Sequence, residues 1–161
     1  MTNKQPKKTD QSNQPKKQSN QSKEPIEKEI VQYINSEVNN FQNYPIRKMV
    51  EHAEQLGPKL KNNRLETNQI RKFLDAINRV KTKLAQNADE ADQEQRFQSI
   101  EPEIVLLKPK LAYAAARKTE AEPLNQVVSI AINKVHNIDD FNRLVQFVES
   151  IVAYHKAEGG K

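Results

Sequence analysis

Thr67-Asn68-Gln69-Ile70-Arg71-Lys72-Phe73-Leu74-Asp75-Ala76-Ile77-Asn78-Arg79-Val80-Lys81-Thr82-Lys83-Leu84-Ala85 is the stretch on which the fold class turns. Ile70, Phe73, Leu74, Ile77, Val80 and Leu84 recur at intervals of three and four, so a 3.6-residue helix gathers them on one side. Strict alternation, the mark of a half-buried strand, is absent. Asn68, Lys72, Arg79 and Lys83 fall on the opposite side. The spacing predicts an amphipathic helix over about 68–85, with Thr67 as N-cap, because its hydroxyl can accept from an unpaired first-turn amide.

Upstream, Ile26, Ile30, Tyr33, Ile34 and Val38 mark a helix over about 26–40, broken by Asn39, Asn40, Asn43 and Pro45. A helix over about 45–56 follows, burying Ile46, Met49, Val50 and Ala53 and expected to end at Gly57-Pro58. Residues 59–66 read as a loop anchored by Leu60 and Leu65. Downstream, residues 86–95 read as an acidic loop. A helix then gathers from about Gln93 through Phe97, Ile100, Ile104 and Leu107, with Pro102 and Pro109 expected to kink or restart it. Pro123 suits the opening of a helix over about 123–136. The last helix, about 139–156, is capped by Asn137 or Asp139 and buries Phe141, Leu144, Val145, Val148, Ile151, Val152 and His155. Together these patterns specify an all-α protein, a compact bundle of five or six helices.

Composition narrows the function classes. The 161 residues suffice for one domain with a core, at 35% hydrophobic content and a mean hydropathy of −0.91. With three glycines and 6% aromatics, an all-β fold is disfavoured. There is no cysteine, which excludes disulfides and thiolate metal sites and makes a cytoplasmic location the simpler expectation. The net charge of +5 suggests nucleic acid until it is divided. Residues 1–24 carry six lysines against Asp10 and Glu24, leaving 20 cations and 19 anions in the rest. Any polyanion bound by the folded part must therefore be met by local clusters. Residues 1–25, rich in Lys, Gln, Asn and Ser, have almost nothing to bury and are expected to form a disordered basic tail ahead of a single helical domain over 26–161.

One such cluster is Lys108-Pro109-Lys110-Leu111-Ala112-Tyr113-Ala114-Ala115-Ala116-Arg117-Lys118. Lys110, Tyr113 and Arg117 share a helix face, while Ile104, Leu107, Leu111 and Ala115 continue the buried stripe. Two cations flanking an aromatic ring suit a phosphate backbone and a base face.

Three segments together resemble a known family: Asn68-Gln69-Ile70-Arg71-Lys72-Phe73, then Leu106-Leu107-Lys108-Pro109-Lys110-Leu111-Ala112-Tyr113-Ala114-Ala115-Ala116-Arg117, then Phe147-Val148-Glu149-Ser150-Ile151-Val152-Ala153-Tyr154-His155-Lys156. The likeness is to the small subunit of the type III-A CRISPR effector, the Csm complex, over about residues 45–157. The resemblance implies a non-catalytic helical subunit of antiviral defence. Several copies would stack inside the effector, beside its large polymerase-like and backbone subunits, in contact with guide RNA paired to target RNA. It carries an RNA-binding role onto Arg71, Lys72, Lys108, Lys110, Arg117 and Lys118. The helical wheel adds Arg79 and Tyr113 on physical grounds.

Catalytic constellations are sparse. Gly159-Gly160 is the only paired glycine, so no phosphate-cradling loop is present, and His52, His136 and His155 have no metal-ligand spacing. No cofactor or metal is expected. Arg47-Lys48-Met49-Val50-Glu51-His52 matches the Arg-x4-His signature of HEPN-type ribonucleases, although Lys48 departs from the residue usual after the arginine. A helical scaffold that never touches RNA, and a nuclease using Arg47 and His52, are thus the competing readings. His155, at the edge of an apolar stripe, is expected to be a hydrogen-bonded core residue.

Overall fold

The computed structural model describes residues 23–89 and 92–159, so the expected tail lies largely outside the described residues. Six α-helices follow in order: α1 (Ile26–Glu37), α2 (Ile46–Asn62), α3 (Thr67–Gln86), α4 (Gln93–Arg117), α5 (Glu122–Ile132) and α6 (Ile138–Ala157), with 3-10 turns at Phe41–Asn43 and Thr119–Ala121. No strand occurs among the described residues.

Helix α6 is the hub. It packs along α2 most extensively, and also meets α3, α4 and the turn Phe41–Asn43, while α5 bridges α1 and α4. The α2–α6 crossing is close because Gly57 lies in it, where a Cβ atom would sit 2.7 Å from His155 N and from Tyr154 Cβ. Phe41, Tyr44, Phe141 and Phe147 are fully buried, and Tyr44 meets Phe147 edge-on at 5.5 Å between ring centres. Expected core positions Ile30, Ile34, Met49, Leu60, Leu65, Ile77, Ile104 and Ile151 are all buried. Ile46 is not: it is 48% exposed. As the first residue of α2 it lies ahead of the part that α6 covers.

Several boundaries differ from the periodicity reading. Gly57-Pro58 does not end α2, which runs on to Asn62. The glycine is kept for the crossing, and the real stop is a Schellman motif. Leu65 N–H donates to Leu60 O (3.0 Å), Arg64 N–H donates to Lys61 O (2.9 Å), and buried Leu65 closes the turn. Thr67 is the first residue of α3 rather than its cap. Glu66 takes that place, with Gln69 Oε1 accepting from its amide (3.2 Å). Pro102 and Pro109 break nothing, and α4 is an unbroken helix of 25 residues. Both rings are on its exposed side, where the carbonyls deprived of a donor face water. Helix α5 ends four residues early, at Ile132, because the chain must turn before α6. Asn137 caps α6, its Oδ1 accepting from Asp140 N–H at 2.8 Å.

Arg64 adopts φ +68°, a left-handed conformation that costs an L-residue about 1 kcal/mol and glycine nothing. Its side chain is exposed, so Arg64→Gly is expected to stabilise the protein by roughly 0.5–1 kcal/mol in urea denaturation. A loss of stability would mean that the arginine side chain holds the turn.

Candidate nucleic-acid interface

Helices α3 and α4 form an antiparallel pair. Lys83 Nζ contacts Glu103 Oε1 (2.6 Å), Arg96 donates to Leu84 O (3.3 Å), and Asn87 donates to Ser99 Oγ (3.0 Å). This register brings the N-terminal half of α3 and the C-terminal half of α4 to the same end of the pair. Arg71, Lys72 and Arg79 stand exposed on α3, with Asp75 in the row between Lys72 and Arg79. Arg79 and Lys83 line a shallow groove with Asn78, Thr82, Gln86 and Glu103.

On α4, Lys110, Tyr113 and Arg117 share the outward face as the wheel predicts. Tyr113 is 67% exposed, and the Arg117 guanidinium lies 5.8 Å from its ring centre. Lys108 is separated from them. It sits beside the buried stripe, turned toward α5, where its Nζ donates to Asn133 Oδ1 (2.6 Å). Lys118 lies past the helix end on extended backbone. Among the described residues, Lys48, Lys59, Lys81 and Lys83 pair with carboxylates, whereas Arg71, Lys72, Arg79, Lys108, Lys110, Arg117 and Lys118 do not. These seven cations are available to an external anion. Lys83 joins the groove without having been singled out in the sequence, although its position on the polar side of α3 was legible. The outward side of α4 also carries far more apolar surface than the basic-face reading implies. Val105 is 50% and Leu106 53% exposed.

The two residues of the nuclease motif do not converge. Five positions on a helix place Arg47 and His52 about 140° apart. Arg47 is exposed, while His52 is fully buried, within a cage formed by Tyr33 and Tyr44. Burial pushes the Tyr44 hydroxyl pKa far up, so it stays protonated, and it is hydrogen-bonded to His52 Nδ1. His52 Nε2 finds no hydrogen-bond partner, with Glu29 Oε1 3.9 Å away. A ring so enclosed cannot reach a scissile phosphate. Burial, and secondarily Lys48, lower the His52 pKa below its ordinary 6.5, with Glu29 and Glu51 opposing. The unfolded chain therefore binds the extra proton first as pH falls, and stability drops from about pH 7 downward until the folded-state value is passed. Urea titrations at several pH values should show this slope, and His52→Gln should flatten it. Equal slopes would remove His52 as its source.

His155 is the core residue expected. It is buried, with Nε2–H donating to Leu65 O at 2.7 Å, which fastens the α2–α3 turn to α6. No described helix is long and apolar enough to cross a membrane.

These features define an all-helical subunit that presents unpaired cations on an antiparallel helix pair and buries the histidine of its one nuclease-like motif. The chain belongs to the Csm2 Type III-A family, whose model matches residues 43–161, and it is thereby a small subunit of a type III-A CRISPR Csm complex. Helix α1 precedes the matched region, yet it packs on α2 and α5. No match was found among curated proteins or among solved structures.

Proposed function

We propose that this subunit binds the backbone of guide RNA paired to target RNA along the α3–α4 face, in several stacked copies beside the backbone and large subunits, and performs no chemistry itself. The observation that carries the reading is the set of exposed cations without carboxylate partners on both helices of the pair: Arg71, Lys72 and Arg79 on α3, Lys110 and Arg117 on α4. Phosphates are bound by such groups without reading sequence, and base pairing between guide and target supplies the specificity. Tyr113 offers an exposed ring for a base or ribose, while Lys108 and Lys118 extend the positive surface to either side. Antiviral defence and a cytoplasmic location follow from this role.

Filter binding of labelled duplex and single-stranded RNA across a salt series tests it. Lys72→Glu with Arg79→Glu, and separately Lys110→Glu with Arg117→Glu, should each weaken duplex binding by about tenfold or more at low salt. Each should also flatten the log–log salt dependence by about two, one for each cation removed. Circular dichroism should be unchanged, since all four side chains are exposed. Binding within twofold of the parent in both variants would overturn the RNA reading, and RNA cleaved by the parent protein would overturn the non-catalytic one.

A further inference from the structure

The groove between α3 and α4 carries groups for which a purely phosphate-binding surface has no use. Arg79 and Lys83 line it, but so do Asp75 and Glu103, so its charges balance. Lys83 Nζ contacts Glu103 Oε1 across the helix pair at 2.6 Å, which fixes that carboxylate on the groove wall. Glu103 Oε2 has no hydrogen-bond partner among the described residues, and Asp75 is exposed and unpaired there too. Asn78, Thr82 and Gln86 line the same groove. They recur every four residues on α3, about 6 Å apart along its axis. None of the three spends its side chain on a hydrogen bond to another described residue.

The chemistry of these groups points to the moiety they fit. A phosphodiester only accepts hydrogen bonds, so cations serve it and carboxylates repel it. A carboxylate only accepts, so it needs a donor from the ligand, whereas Asn, Thr and Gln side chains supply both roles. The ribose 2′-hydroxyl is donor and acceptor at once, and DNA lacks it. In an A-form helix these hydroxyls are displayed along a wide, shallow minor groove, which a pair of packed helices can enter. Arg71 and Lys72 stand exposed outside the α3–α4 groove, available to the flanking phosphates.

We propose that the α3–α4 groove reads the ribose 2′-hydroxyls of an RNA strand, and that this contact makes the subunit discriminate RNA from DNA. Glu103 Oε2 and Asp75 accept from the hydroxyls, while Asn78, Thr82 and Gln86 exchange hydrogen bonds with them along the strand. The inference rests on the RNA reading and deepens it, since cations alone hold either nucleic acid.

Filter binding of the full chain at low salt, to RNA, 2′-fluoro RNA and DNA duplexes of one sequence, tests the proposal. Fluorine removes the hydroxyl donor and keeps the A-form helix. It also leaves the guanine amino group, the minor-groove donor on the bases, unchanged. The RNA duplex should bind about tenfold more tightly than the 2′-fluoro duplex, and DNA no better than the latter. Asn78→Ala with Thr82→Val should bring RNA binding down to within about twofold of 2′-fluoro binding, the difference left by the hydrogen bonds that remain. Glu103→Gln separates the two roles of the groove by sign. It should tighten the 2′-fluoro duplex, because a charge that repels phosphate is gone, and narrow the preference for RNA, because a charged acceptor is replaced by a neutral one. Parent protein that holds RNA and 2′-fluoro RNA alike overturns the ribose contact and leaves the backbone reading standing. A preference unchanged in both variants also overturns it. Parent protein that binds none of the duplexes overturns the RNA reading and this inference with it.

Discussion

Gly57→Ala is expected to destabilise the protein by about 3 kcal/mol, although the substitution would ordinarily strengthen a helix by about 1 kcal/mol. The sign is reversed by what the new methyl group meets. Its ideal position is 2.7 Å from Tyr154 Cβ, 2.7 Å from His155 N and 2.9 Å from Ile151 O. None of these atoms terminates a flexible side chain. All belong to the backbone of α6 or are fixed by it, so relief requires the two helices to move apart. The α2–α6 contact is the largest in the protein, and the displacement is felt by buried Ala53, Leu56, Leu60, Val148 and Ile151. It also strains the bond from His155 to Leu65 O. Urea denaturation should show a lower midpoint with an unchanged slope, and Tm should fall on the order of 10 °C. Asn142→Ala on the exposed side of α6 should stay within about 0.5 kcal/mol. A stabilised Gly57→Ala protein would show that the crossing is looser than described.

Asp140→Ala should cost a comparable amount, about 3–4 kcal/mol, by a different route. Asp140 is fully buried, and its carboxylate joins two stretches distant in sequence. Oδ1 accepts from Gln42 N–H and Oδ2 from His136 N–H, each at 2.9 Å. Phe41 N–H donates to Lys134 O (3.0 Å) and Arg143 donates to Tyr44 O (2.8 Å) close by. The carboxylate thus fastens the turn Phe41–Asn43 to the start of α6. Removing it strands two backbone donors, each costing about 1–3 kcal/mol when buried. Asp140→Asn keeps one acceptor but sets an NH2 group against the other amide, and an intermediate loss of about 2 kcal/mol is expected. Asp139→Ala, exposed in the same turn, serves as the contrast and should be nearly neutral. Equal effects at 139 and 140 would point to the helix dipole rather than to the buried bonds.

The residues proposed to face RNA were legible in proportion to how local their signals are. Lys72 and Arg79 oppose an unambiguous apolar stripe, so their exposure follows from α3 alone. Lys110, Tyr113 and Arg117 follow from the wheel of α4. Lys108 does not, because its direction depends on Asn133, the residue just past the end of α5. The resemblance that placed the chain in its family rests on the order and spacing of three segments, and the match over residues 43–161 confirms that placement. His52 illustrates the opposite case. Its motif is real as a string of letters, but Tyr33 and Tyr44 enclose the ring, and nothing in the spacing of Arg47 and His52 announces them.

By itself, then, the sequence determined the number of helices to within one, their approximate extent, most of their buried stripes, Asn137 as one of two candidate caps for α6, and the cationic rows. Periodicity and capping act between residues three or four apart, so they are written where they operate. Only the tertiary structure decided the rest. Gly57 is a crossing point rather than a terminator because α6 lies against it. Pro102 and Pro109 ride within a continuous helix because solvent, not protein, faces them. Ile46 stays exposed because no element reaches it. The outward stripe of α4 escaped the wheel because that helix is apolar on two sides, and which side is covered depends on where α3 and α5 dock.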